Sequence, residues 1–128
     1  MADAVRGASV LVVEDDDDLG ELMETMLRRA GYAVEGVHDG GAALRRLRET
    51  APDVMVLDLG LPGRDGFEVL REMAALPHRP RTMVVTARHA AGDVETSIAL
   101  GASDFLGKPF QPEQLLARVA RLARRRPG

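Results

Sequence analysis

SVLVVEDDDDLGELMETMLRRAG, Ser9 to Gly31, packs three kinds of sequence into one run. Ser9–Val13 is apolar and β-branched, the composition of a short buried strand. Glu14 to Asp18 are five consecutive acids. Leu19, Leu22, Met23, Met26 and Leu27 then recur at helical spacing, and Gly31 stops the pattern. Asp17 or Asp18 is read as the cap of this helix, with Glu21 placed for a capping box with Asp18. A buried strand therefore runs straight into a block of like charge. Carboxylates this close repel, and their pKa values rise unless a cation neutralises them. The block calls for a ligand.

The same alternation continues down the chain. Tyr32–Val37 alternates as a strand, Gly40–Thr50 reads as a helix ended near Pro52, and Val54–Leu57 is an apolar strand. Phe67, Val69, Leu70 and Met73 mark a third helix, and the loop LPHRPR follows. Thr82–Thr86 is a fourth strand, and Val94, Ile98 and Leu100 mark a short helix that Gly101 stops. Ser103–Leu106 is a fifth strand. Leu115, Leu116, Val119 and Leu122 belong to a last helix that runs into Arg-rich sequence and Pro127-Gly128. Five strand–helix alternations imply an α/β fold, a parallel sheet with helices on both faces and right-handed crossovers. With 128 residues and 45% apolar content, the chain reads as a single domain over 1–128, with its core at about 9–125.

Composition narrows the function classes. A formal net charge of -3 argues against bulk attraction to nucleic acid or an anionic membrane. Without Cys there is no disulfide, thiolate metal site or thiol nucleophile. The first residues, MADAVRGAS, lack the apolar run of a secretory signal, and no apolar stretch approaches membrane-spanning length. The expectation is a cytoplasmic protein with no membrane partner.

In open parallel sheets ligands sit at the carboxyl ends of the strands. Glu14 and Asp15 follow the first strand, Asp58 the third, Thr86 ends the fourth, and Lys108-Pro109 follows the fifth. Three carboxylates from two strands make a hard-oxygen site of the kind Mg²⁺ favours, so Glu14 and Asp15 are read as holding a divalent cation. Asp16 to Asp18 instead favour the positive end of the following helix. An Asp beside such a cation can be a phosphoryl-accepting nucleophile. The transferred group then needs partners for its peripheral oxygens. Lys108 can serve one, and the Thr86 hydroxyl or N–H groups near Ala87 another. Lys108 is the sole Lys in a chain that otherwise uses Arg, which suits a site wanting a compact point charge rather than a planar fork.

These motifs, VLVVEDD, LDLGLPGRDG, the Thr86-Ala87 pair and FLGKPF, occur in order and at suitable spacing. Together the chain resembles response-regulator receiver domains, the CheY-like phosphoacceptor modules of two-component signalling, over about Val10 to Arg125. The resemblance implies a flavodoxin-like (βα)5 doubly wound sheet of order 2-1-3-4-5. It makes Asp58 the phosphoacceptor, Asp15 a direct Mg²⁺ ligand, Glu14 a support to the cation, often through water, and the Gly60 backbone carbonyl a further ligand. Mn²⁺ is the implied substitute metal. Lys108 would contact the phosphoryl group through a site whose Lys108-Pro109 bond is cis. Thr86 and Phe105 would form the switch pair. The implied chemistry is self-phosphorylation and autodephosphorylation, with a sensor histidine kinase or phosphotransfer protein as donor. Family members tune dephosphorylation at the positions of Gly60, which leaves the acceptor open to water, and Arg88, which covers it.

The C-terminal part, KPFQPEQLLARVARLARR, is similar to receivers of winged-helix transcription regulators. That implies a homodimer surface on the fourth helix, fifth strand and fifth helix, with Asp104 and Arg118 matching its charged pair. Val94 and Gln114 stand where Arg and Glu are usual. DNA would be reached only through an output domain this chain does not contain.

Each element has a plainer reading. An acidic block serves as a solvated cap, Asp58 as a turn residue, Thr86 as a strand end and Phe105 as core. His38, His78 and His89 are read as surface or loop residues, the Met residues as core filler, and the terminal Arg cluster as a solvated helix end. Two other function classes fit less well. A phosphatase with an Asp nucleophile wants a second acid two residues on, where Gly60 stands. A flavin or nucleotide module wants a phosphate cradle after the first strand, where Glu14 to Asp18 would repel it.

Overall fold

The computed structural model describes residues 7–124, so Arg125 to Gly128 and the first six residues lie outside the account. The chain alternates as β1 (Ser9–Val13), α1 (Asp17–Arg29), β2 (Ala33–Val37), α2 (Gly40–Thr50), β3 (Val54–Leu57), α3 (Gly66–Met73), β4 (Arg81–Thr86), α4 (Ala91–Ala99), β5 (Asp104–Gly107) and α5 (Pro112–Arg124). The five strands pair in parallel in the order β2-β1-β3-β4-β5, as expected.

The apolar runs dictate the layering. Every residue of β3 is buried, because its strand lies mid-sheet under helices on both sides. Along β1, Val10 and Val12 face Met23 and Leu27 of α1 and Leu115, Val119 and Leu122 of α5. Leu11 and Val13 face the other way, toward Leu44 and Leu47 of α2 and Val69 and Leu70 of α3. Of the Met residues, Met23, Met55, Met73 and Met83 are buried in these two layers. Truncating Leu57 to Ala would cost about 2–5 kcal/mol by leaving a cavity in the layer under α2 and α3.

Helix starts show a correction. The cap of α1 is Asp16, whose side chain accepts from Leu19 N at 3.1 Å, and not Asp17 or Asp18. The cause lies one turn earlier. Glu14 Oε2 accepts the Asp16 N–H at 3.1 Å, which bends the chain as soon as it leaves β1 and brings Asp16 to the helix end. Asp39 and Asp65 cap α2 and α3 in the same way. β5 begins one residue later than Ser103 and runs on to Gly107, because its pairing with β4 continues to the end of that strand.

One glycine places the centre of the sheet edge. A Cβ on Gly66 would lie 2.6 Å from Asp58 O and from Leu59 Cα. Only a bare backbone lets the first turn of α3 press against the chain leaving β3, where Gly66 N donates to Leu59 O at 2.9 Å.

Candidate functional site

The carboxyl ends of β1, β3, β4 and β5 bring Glu14, Asp15, Asp58, Thr86 and Lys108 to one edge. Glu14, Asp15 and Asp58 each offer a carboxylate oxygen, and all three lie within 4.8 Å of one another. Glu14 and Asp58 are buried, while Asp15 is exposed. Asp15 accepts no hydrogen bond among the described residues, which leaves its oxygens free for a ligand. Lys108 Nζ bridges the two buried acids, at 2.7 Å from Glu14 Oε1 and 3.0 Å from Asp58 Oδ2. The second Asp58 oxygen, Oδ1, accepts the Gly60 N–H at 3.1 Å. The Lys108-Pro109 peptide is cis.

Burial and pairing pull these groups in opposite directions. Burial pushes the Asp58 carboxyl up, but the Thr86 hydroxyl, the Gly60 N–H and Lys108 outweigh it and hold Asp58 below its usual range. Glu14 goes the other way. Burial raises it, and hydrogen bonds from Lys108 and the Asp16 N–H only partly offset that, with the nearby Asp58 charge adding to the rise. For Lys108, burial favours the neutral amine, yet its bonds to Glu14 and Asp58 raise it above the usual value. The edge is thus a partly desolvated cluster with an ionised Asp58 at its centre, held by one ammonium.

Thr86 is buried at the end of β4, and its Oγ1 accepts the Arg88 N–H at 3.2 Å. Phe105 is half-buried on β5 and packs with the α2–α3 layer. Arg88 does not cover Asp58. Its Nε meets Asp93 Oδ1 at 3.0 Å and its guanidinium lies 4.8 Å above the Phe67 ring, so the head group is engaged at the start of α4.

His38 is an exposed loop residue, as its sequence reading has it. Its Nδ1 lies 3.1 Å from the Glu14 carbonyl oxygen and 3.6 Å from Asp17 Oδ1. Its position just after β2 puts this contact near the same sheet edge. A cavity of about 390 Å³ opens beside Lys108, lined by Leu19, Leu22, Met26, Pro109 and Phe110. On β5, Asp104 binds Arg118 at 3.0 Å and Arg121 at 2.8 Å, so the Asp104–Arg118 pair closes within one chain.

The family model for the response regulator receiver domain matches residues 10–120. The transcriptional regulatory protein PrrA of Mycobacterium leprae is 40% identical over 126 residues, covering 98% of this chain and 54% of PrrA. The chain spans about half the length of the curated relatives it matches. Among solved structures, the non-phosphorylated HemR receiver domain of Leptospira biflexa superposes with a TM-score of 0.88 at 32% identity, covering 94% of this chain and 98% of that one. The receiver domain of the sensor histidine kinase PA1611 from Pseudomonas aeruginosa, which carries a magnesium ion in its active site cleft, superposes with a TM-score of 0.84 at 34% identity, covering 91% and 98%. Fold, edge geometry and relatives agree: the chain belongs to the response regulator receiver domain family, whose members are signalling domains rather than catalytic enzymes.

Proposed function

We propose that Asp58 accepts a phosphoryl group from a histidine kinase or phosphotransfer protein, in a reaction that needs Mg²⁺ or Mn²⁺. The observation that carries this is the bridge from Lys108 to both Glu14 and Asp58, with Asp15 left open beside them. Glu14, Asp15 and Asp58, with the Gly60 carbonyl, would hold the cation, which when bound offsets negative charge on the phosphoryl oxygens. The donor set fits it: three carboxylates and no sulfur or imidazole ligand.

Chemistry at Asp58 follows from its ionisation. A carboxylate oxygen attacks phosphorus, a P–O bond forms, and the P–N bond to the donor imidazole breaks as the ring departs with its electron pair. Lys108 then loses an anionic partner at Asp58 and finds a new one in the phosphoryl group. Thr86 Oγ1, which accepts the Arg88 N–H, moves to donate its own hydrogen to another phosphoryl oxygen. Phe105 moves inward behind it, which alters the face of α4, β5 and α5. Water reaching the open side at Gly60 reverses the modification.

The apolar cavity beside Lys108 suits a donor protein approaching along α1, while the exposed Ile98 on α4 belongs to the output face. That output is transcriptional by kinship with PrrA, through a DNA-binding partner or domain, or through a homodimer of the α4–β5–α5 face. Gln114 Oε1 accepts the Gln111 N–H at 2.8 Å at the start of α5. A cytoplasmic location follows from such partners, and no described helix is long and apolar enough to cross a membrane.

Beryllium fluoride with Mg²⁺ imitates the phosphoryl group and tests this reading. Fluorine NMR should show a bound signal for the wild type and none for Asp58→Asn. A bound signal in both would place the acceptor elsewhere. Light scattering on the same samples reads the dimer directly, and an unchanged mass would leave a hetero-partner as the output.

A further inference from the structure

His89 lies in the segment joining β4 to α4 and is largely exposed. One edge of its ring is not. A Cβ built on Gly107 would lie 3.0 Å from His89 Cδ2 and 3.2 Å from Cγ. The ring therefore fills the space in which another residue at 107 would carry its side chain. Gly107 is the last residue of β5, and a glycine in a strand often marks a place where another group comes close; here that group is the imidazole.

The location gives the contact its meaning. Gly107 pairs with Thr86, and Phe105, two residues back, shares its face. Thr86, Phe105 and the His89 ring thus sit in one side-chain layer at the edge of the site. Lys108 N donates to Thr86 O at 2.8 Å on one side, and Arg88 N donates to Thr86 Oγ1 at 3.2 Å on the other. His89 adjoins Arg88 in the chain, so what holds the ring also holds that amide.

We infer that His89 is a positioning residue for Thr86: seated on the bare Gly107 backbone, it pins the β4–α4 segment with the Thr86 hydroxyl bound to the Arg88 amide. This rests on the reading of Asp58 as phosphoacceptor and Thr86 as the hydroxyl that turns to the phosphoryl group. Thr86 Oγ1 accepts the Arg88 N–H and keeps its own hydrogen to donate, so as it moves toward the phosphoryl group the segment carrying Arg88 and His89 must follow it or give up that bond. The seat on Gly107 stabilises the resting arrangement, so it slows phosphorylation.

Three substitutions separate the parts. Gly107→Val fills the seat, His89→Ala empties it, and His89→Phe keeps a flat ring on it. The readouts are the rate of phosphoryl uptake from acetyl phosphate at saturating Mg²⁺, Mg²⁺ affinity, and thermal midpoint. Gly107→Val and His89→Ala should take up phosphate about fivefold faster, the size of effect a modest population shift gives. Mg²⁺ affinity should stay unchanged. Combining the two should be no faster than either alone, since both break one contact, and His89→Phe should return close to the wild-type rate. A purely structural role would lower the thermal midpoint and leave the rates alone, which would overturn the inference, as would additive effects. Should Gly107→Val fail to fold, the two His89 variants decide. A wild type that takes up no phosphoryl group defeats the phosphoacceptor reading and this one with it. One that does, at a rate all three variants share, defeats only the role of His89.

Discussion

Lys108 Nζ sits 3.0 Å from Asp58 Oδ2 although 50 residues separate the two in the chain. The same ammonium is 2.7 Å from Glu14 Oε1, so one cation joins β1, β3 and β5 at their carboxyl ends. The three groups depend on each other. Removing the ammonium leaves two buried carboxylates facing one another in a partly desolvated edge.

Lys108→Ala should therefore destabilise the metal-free protein by about 3 kcal/mol, the scale of a broken buried pair. Mg²⁺ should restore more stability to this variant than to the wild type, because it supplies the missing charge. Urea unfolding with and without Mg²⁺ measures both quantities. Equal Mg²⁺ effects in the two proteins would show that Lys108 and the cation do not share these carboxylates.

Metal binding should register as stabilisation. A ligand that binds only the folded state adds about 2.7 kcal/mol at roughly a hundredfold excess over Kd. The thermal midpoint should rise with Mg²⁺ in the wild type and stay flat in Asp15→Ala, whose exposed carboxylate has no other described partner. A full rise in the variant would remove Asp15 as a ligand.

Alkaline pH titrates Lys108. Its pKa in the fold lies above the ordinary 10.5, so its contribution is present below 10.5 and is lost as pH climbs through the higher folded value. Tyr32 loses stability over a similar range, since burial raises it from 10.0 and favours the neutral phenol. The chain has one Tyr and one Lys. Unfolding curves of Lys108→Met and Tyr32→Phe should each flatten part of the alkaline limb, and the limb should survive neither change together. On the acid side Asp58 and Glu14 act oppositely. Asp58 is lowered from 3.8, so its stabilisation is lost as pH falls through the lower folded value, whereas Glu14 is raised from 4.5 and its cost is relieved as pH falls.

Asp16→Ala should cost about 1 kcal/mol through loss of the α1 cap, with Asp18→Ala close to neutral. Chemical denaturation of the two variants checks the order. A larger loss from Asp18 would return the cap to the position its sequence context favours.

That cap shows where the sequence stops being informative. Among five adjacent acids, composition cannot say which one faces the helix end. The choice depends on the Glu14–Asp16 hydrogen bond, which exists only once β1 is buried. The sheet edge was more legible, since strands announced by SVLVV, VMVL and TMVVT leave Glu14, Asp15, Asp58 and Thr86 as their next or last residues. Lys108 stood out because no other Lys competes with it. The strand order rested on family resemblance, because alternation alone does not say which strands are neighbours. The contact of His38 with the Glu14 carbonyl, and the seat of His89 on Gly107, escaped notice for a different reason. Both depend on contacts between segments far apart in the chain, and neither residue type carries a spacing signal. Arg88 was aimed at Asp58 from its position, but Asp93 and Phe67 offer its guanidinium an ion pair and a ring face nearer at hand.

The central claim is that Asp58 takes the phosphoryl group, and intact-mass measurement after incubation with acetyl phosphate and Mg²⁺ tests it most directly. The wild type should gain one phosphoryl group, and Asp58→Asn, or the wild type with Mg²⁺ removed by chelation, should gain none. Equal gain by Asp58→Asn, or no gain by a wild type that binds Mg²⁺, would contradict the assignment of Asp58 as acceptor.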